Sequence, residues 1–204
     1  YNPRGGHLVL NNSTIANNTA AIHAGGIFNG GPDDPDPDVH LLSTFMEAFN
    51  STFSGNAAGD SGGAIYNDYL GNYPLGTIGA VTIANSTIAA NTAGVSGGGL
   101  YNFPDNDTFF LSTIVAGNTA DGHAEDIMGR LSTGSEYNLV QDADSAGELV
   151  SGQDGNIIGV DPLLASLASN GGRTRTHALL AGSPALAAGS NPFDLSGDQR
   201  DGPF

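Results

Sequence analysis

The chain has 204 residues, including 31 Gly, no Cys, and 21 Asp and Glu against five Arg and no Lys, for a formal net charge of -16. The missing thiols exclude disulfides and thiolate chemistry, and the negative field repels phosphate backbones and anionic membrane surfaces, so nucleic acid is not an expected partner. No apolar run approaches the roughly 18 residues that cross a bilayer, so this segment is expected to make no direct membrane insertion.

In chain order, Tyr1-Asn2 is an aromatic-Asn pair that returns as Tyr66-Asn67 and Tyr101-Asn102, so the chain reads as starting in mid-repeat, with an open first coil. Leu8-Val9-Leu10 then reads as a short strand. Asn12-Ser13-Thr14-Ile15-Ala16-Asn17-Asn18 follows it and recurs at residues 50 to 56, 85 to 91 and, more loosely, 112 to 118. A second motif, Gly25-Gly26-Ile27-Phe28-Asn29, recurs as Gly62-Gly63-Ala64-Ile65-Tyr66-Asn67 and Gly97-Gly98-Gly99-Leu100-Tyr101-Asn102. The order never changes, and the excess length falls after each aromatic-Asn pair, which places variable loops at residues 30 to 40, 68 to 79 and 103 to 108.

A unit this short cannot bury its apolar face alone, so copies must stack with equivalent strands pairing in parallel. The expected fold is all-β, a right-handed parallel β-helix of roughly five to seven coils. Residues 1 to 127 form its regular coils, and 128 to 204 form the final coils and a less regular C-terminal capping region, all within one domain. Gly25, Gly26, Gly62, Gly63, Gly97 and Gly98 sit at corners, where glycine supplies angles that other residues resist. Stacking would also align Asn18, Asn56, Asn91 and Asn118 in a ladder of side-chain amides, which reads as structural.

Candidate sites are few. Asp33, Asp34, Asp36 and Asp38 offer hard oxygen ligands and are weak candidates for a structural calcium ion. Pro35 and Pro37 hold that run extended and turn its carboxylates apart, so it reads as a solvated acidic loop with no cofactor. Tyr69, Tyr73 and Phe103, with Phe109 and Phe110, read as loop aromatics able to stack on sugar rings, the first three being the candidate glycan contacts. Sequons occur at Asn11, Asn12, Asn17, Asn50, Asn85 and Asn106, and Asn106 reads as the most accessible glycosylation acceptor. The His residues form no zinc spacing, and His123-Ala124-Glu125-Asp126 is too local a cluster to define a metal site. The acidic residues concentrate in loops and do not recur at matched repeat positions, and a lyase base is hard to supply without Lys, so no catalytic residue is assigned.

The Phe/Ile-x-x-Asn element followed by Gly-Gly-Ala/Gly-Ile/Leu resembles the repeats of polymorphic outer-membrane proteins and related bacterial surface β-helices. Further on, Asn156-Ile157-Ile158-Gly159-Val160-Asp161-Pro162-Leu163-Leu164 leads through Asn170-Gly171-Gly172-Arg173-Thr174-Arg175-Thr176-His177-Ala178-Leu179-Leu180 to Gly182-Ser183-Pro184-Ala185 and Asp198-Gln199-Arg200. This string resembles the closing region of the choice-of-anchor family of surface proteins. The resemblance implies an extracellular or cell-surface β-helix and carries no catalytic residues. The expected function is non-enzymatic and structural: a rigid rod that assembles with copies of itself through its ends into a filament or surface layer. The alternatives are an adhesin that binds carbohydrate or another surface protein, and a carbohydrate-active β-helix enzyme.

Overall fold

Short β-branched stretches alternate with residues that tolerate positive φ, and this alternation makes the chain turn every few residues. The computed structural model describes residues 1–3, 5–30, 44–68, 79–104 and 106–202. The first coil holds β1 (His7–Asn11), β2 (Thr14–Ala16), β3 (Thr19–Ala20) and β4 (Ile27–Asn29). The second holds β5 (Thr44–Phe49), β6 (Thr52–Ser54), β7 (Ala57–Ala58) and β8 (Ile65–Asn67), and the third β9 (Gly79–Ala84), β10 (Thr87–Ala89), β11 (Thr92–Ala93) and β12 (Leu100–Asn102). The fourth adds β13 (Thr108–Leu111), β14 (Ile114–Ala116), β15 (Thr119–Ala120), β16 (His123–Ala124) and β17 (Ile127–Met128). Two short strands, β18 (Leu139–Val140) and β19 (Ile157–Ile158), complete the stack.

Among the described residues four sheets result, in the orders β1-β5-β9-β13, β2-β6-β10-β14-β18-β19, β3-β7-β11-β15-β16 and β4-β8-β12-β17. All their pairings are parallel except β15 with β16. This is an all-β parallel β-helix.

The corners stack as the strands do. Asn12, Asn50, Asn85 and Ser112 turn from the first sheet into the second with φ of 47°, 48°, 49° and 50°. Asn and Asp hydrogen-bond locally and enter this left-handed region more readily than most residues. The next corner uses Asn17, Gly55, Ala90 and Gly117, and there Ala90 holds φ 56° without a side chain suited to it. Ala90→Gly is therefore expected to stabilise the fold by about 1 kcal/mol, read as a higher urea midpoint with an unchanged slope. No gain would mean that this corner carries no strain.

Register builds continuous apolar columns. Ile15, Phe53, Ile88, Val115, Val140 and Ile158 align in the second sheet, and Ile27, Ile65, Leu100 and Ile127 in the fourth. Leu10, Ala48, Ile83 and Phe110 align in the first. The middle rungs are fully buried, whereas Leu8, Leu10 and Ile15 in the first coil are only partly covered. Phe110 is thus a core residue and not a loop aromatic, because Thr108–Leu111 is a strand whose alternation turns it inward.

The stack narrows toward its C-terminal end, where equivalent corner residues are 38 apart for Ser13 and Ser51 but 18 apart for Asn138 and Asn156. Residues 128 to 158 finish the coils. The expected end cap is different in kind: residues 161 to 202 run back along the outer face of the second sheet as a lateral strap. Thr174 Oγ1 donates to Asn12 O in the first coil, while Ser190 pairs with Ser112 in the fourth. Among the described residues, no helix is long and apolar enough to cross a membrane.

Candidate functional site

Three columns of polar side chains run through the stack. In the first, Asn18, Asn56, Asn91 and Asn118 follow one another, each Nδ2 donating to the next Oδ1 at 2.8–2.9 Å, and the column ends on the Asp126 carboxylate. In the second, the backbone N–H groups of Ser13 and Ser51 donate to the hydroxyls of Ser51 and Ser86, and Thr113, Asn138 and Asn156 continue the series. In the third, Asn2, Asn29, Asn67 and Asn102 repeat the amide ladder. Buried amides are expensive unless paired, and these columns pair them in register, which disfavours any slip of one coil over the next.

Burial pushes the Asp126 carboxyl above its ordinary 3.8; hydrogen bonds from the Asp142 and Asn118 N–H groups and the Asn118 amide pull it down, and the Asp142 charge adds to the rise. Folded Asp126 therefore holds a proton more readily than unfolded Asp126. Its contribution is complete below the ordinary aspartate value and is lost as pH rises through the raised one. Urea titrations from about pH 4 to pH 7 should show stability falling, and Asp126→Asn should flatten that slope. An unchanged slope in the variant would refute the assignment.

Outside the fourth sheet, Tyr1, Phe28, Tyr66 and Tyr101 stack with ring centroids 5.7, 5.2 and 4.7 Å apart. Burial, then the charges of Asp68, Tyr101 and Asp60, push the Tyr66 hydroxyl up to about 12. The rings spend their faces on one another, which leaves few faces for sugar stacking. Tyr1, 69% exposed, closes the row at the N-terminal end.

The strap is held by side chains of the second sheet and its corner. Gln199 Nε2 reaches Ser13 O at 2.9 Å, Thr14 Oγ1 at 3.1 Å and Thr174 Oγ1 at 3.0 Å, while its Oε1 accepts from Thr52 Oγ1 at 2.7 Å. Burial acts to raise the neighbouring Asp198 carboxyl, but hydrogen bonds from the Arg200 side chain and backbone and from Gly202 N–H hold it below its usual range. Asp198-Gln199-Arg200 is thus a built turn that presents Gln199 to two coils. Gln199→Ala is expected to cost about 2 kcal/mol locally, seen as faster amide exchange of the strap with the coils unchanged. Global unfolding at the same loss would contradict a separable strap.

Between strap and sheet lies a cleft of about 580 Å³ lined by Thr52, Thr87, Thr176, His177 and Asn191 among others. His177 Nδ1 bonds Ala165 O at 2.7 Å, so it carries the proton and Nε2 accepts the Ser54 hydroxyl at 2.9 Å. This is the order of a nucleophile, base and orienting group. Ser54 is 4% exposed, however, and the contact joins strap to coil, so its evident work is fastening.

Other expected site residues fall as follows. Tyr69, Tyr73, Asp33, Asp34, Asp36 and Asp38 lie outside the described residues. Phe103 leans on Tyr101 with ring centroids 6.4 Å apart. Asn106 is not the accessible acceptor expected of it: it is 6% exposed, and its amide bonds Asn67 O, Asp68 O and Gly79 N–H. It staples its loop to the end of the second coil and the start of the third, and a glycan on Nδ2 would remove that staple. Among the described residues, no three His, Asp or Glu side chains converge as metal ligands.

Of the six corner glycines, Gly62 and Gly97 have positive φ. Gly25, Gly63 and Gly98 are needed for closeness instead, since a Cβ there would come within 2.4 Å of a neighbouring backbone oxygen. Sequence reasoning missed the second and third polar columns, although the Asn closing each aromatic-Asn pair signalled the third. It also missed Asp126 as a rung and Gln199 as a lock. The chain matches no family model, no curated protein and no solved structure.

Proposed function

We propose that this chain belongs to a non-enzymatic, extracellular structural protein, a rigid β-helical rod that builds a filament or surface layer. The observation that carries the reading is the set of buried polar columns, whose side chains pair from coil to coil in register and lock the coils into one stack. The surface location rests on the sequence resemblance, and the satisfied columns supply the stiffness such a rod requires.

An adhesin reading has one observation in its favour: the steps from β4 to β5, β8 to β9 and β12 to β13, which differ most in length, all leave the fourth sheet and re-enter the first. Polysaccharide turnover assays on the whole chain, with a glycan-binding screen, decide among the three. The rod reading expects neither turnover nor saturable binding; turnover would make it an enzyme, and saturable glycan binding would make it an adhesin.

A further inference from the structure

The strap keeps its backbone bonds to itself. The last backbone bond into the coils runs from Gly159 N–H to Val140 O at 2.9 Å, and among the described residues every later backbone-to-backbone bond joins two residues of the strap. Ala168 and Thr176 exchange a pair of such bonds, Leu164 bridges Leu179, and Gly202 N–H closes the turn at Asp198. The fold of the strap therefore needs no main-chain partner in the coils beneath it.

What joins the two is a set of side-chain contacts spread along the stack. Thr174 bonds Asn12 in the first coil, His177 meets Ser54 in the second and Ser190 meets Ser112 in the fourth. The cleft of about 580 Å³ interrupts this seam. All the coil-side partners belong to the second sheet and its corner, so a strap from another copy finds the same contacts there.

The connector between coil and strap is short and strained. Gly159 takes φ 79° and Leu163 φ 52°, a conformation that a residue with a Cβ resists, and Pro162 between them has no freedom in φ. Gly159, Val160 and Asp161 are exposed, so this stretch can straighten without uncovering the core. A short hinge under strain favours exchange of the element it carries. Charge favours the same element as the link: residues 161 to 202 hold three of the five Arg and only four of the 21 acidic residues. The coils hold most of the negative charge and repel one another, whereas the strap is nearly neutral.

We propose that residues 161 to 202 are exchanged between copies, the strap of one chain lying on the outer face of the second sheet of another. The proposal rests on the structural-rod reading and names the link between its subunits. Handed on from copy to copy, the exchange makes a chain of rods; returned between two copies, it closes a dimer.

The chain contains no Cys, which makes the exchange directly readable. Ser112→Cys is placed in one full chain and Ser190→Cys in a second, size-tagged one; the hydroxyls they replace lie 3.1 Å apart. The two are unfolded and refolded together, and a short thiol-reactive crosslinker captures neighbouring thiols. The expected result is covalent heterodimer whose share rises with protein concentration. That share should fall about tenfold when roughly six Gly and Ser residues are inserted after Gly159 to relax the connector. Light scattering of the unmodified chain, refolded at the same concentrations, should show dimers and longer species. No heterodimer, a yield indifferent to the connector, or an unmodified chain that stays monomeric throughout would each overturn the proposal. The rod reading itself fails on a different result, turnover or saturable glycan binding by the unmodified chain.

Discussion

Asn91→Ala is expected to lower the free energy of unfolding by about 4 kcal/mol, a large share of what a domain of this size usually has. Asn91 is 0% exposed and sits in the third of four Asn rungs. Its Nδ2 serves Phe53 O and Ala89 O at 3.1 Å and Asn118 Oδ1 at 2.8 Å, while its Oδ1 accepts from Asn56 N and Nδ2, each at 2.9 Å. Truncation orphans groups on three coils at once, and each orphan costs roughly 1–3 kcal/mol where water does not replace the partner. Asn18→Ala, at the exposed first rung, should cost only about 1 kcal/mol. Urea unfolding of both variants checks the contrast, and equal losses would show that the column is not cooperative along the stack.

Gly63→Ala is expected to cost roughly 3 kcal/mol for a different reason. Its backbone angles suit any residue, but an added Cβ would lie 2.2 Å from Gly98 O and 2.6 Å from Thr92 O. Both atoms belong to the neighbouring coil, so relief requires prising coils apart at a corner where the ladder sets their spacing. Gly117→Ala is the counterpart, with φ 63° but no atom within 4 Å of an added Cβ, and should cost about 1 kcal/mol of backbone strain alone. If the two variants lose the same amount, close approach is not what the Gly-Gly corner provides.

These features were legible to different degrees. The Asn18 column could be read in advance because its rungs recur in one motif, and stacking follows once repeats are found. The aromatic-Asn pairs carried a second column in the same way, with Asn29, Asn67 and Asn102 all buried. Asp126 was hidden because it lies only eight residues after Asn118, on a coil cut short after β16 turns back. The strap was hidden for a topological reason: His177 and Gln199 find partners 123 and 186 residues earlier, in a segment with no repeat of its own. Asn106 misled because a sequon is a chemical pattern that says nothing of burial. Phe110 misled because a short strand following a polar loop was read as part of that loop.

The corner glycines teach a related lesson. A glycine demanded by angle and a glycine demanded by closeness look alike in a sequence. Gly62 is the first kind and Gly63 the second, one residue apart in the same motif. Register with the neighbouring coil separates them, and register is a property of the stack.

The central claim is that paired polar columns lock the stacked coils into one rigid rod, and native-state hydrogen exchange resolved by coil tests it most directly. The account predicts that amides of His7–Asn11 and Thr14–Ala16 exchange fastest among the strands, that Gly79–Ala84 and Thr87–Ala89 exchange slowest, and that Leu139–Val140 stays close to these inner strands. Exchange at Leu139–Val140 as fast as in the first coil would mean that the columns do not hold the later coils, and would contradict the account.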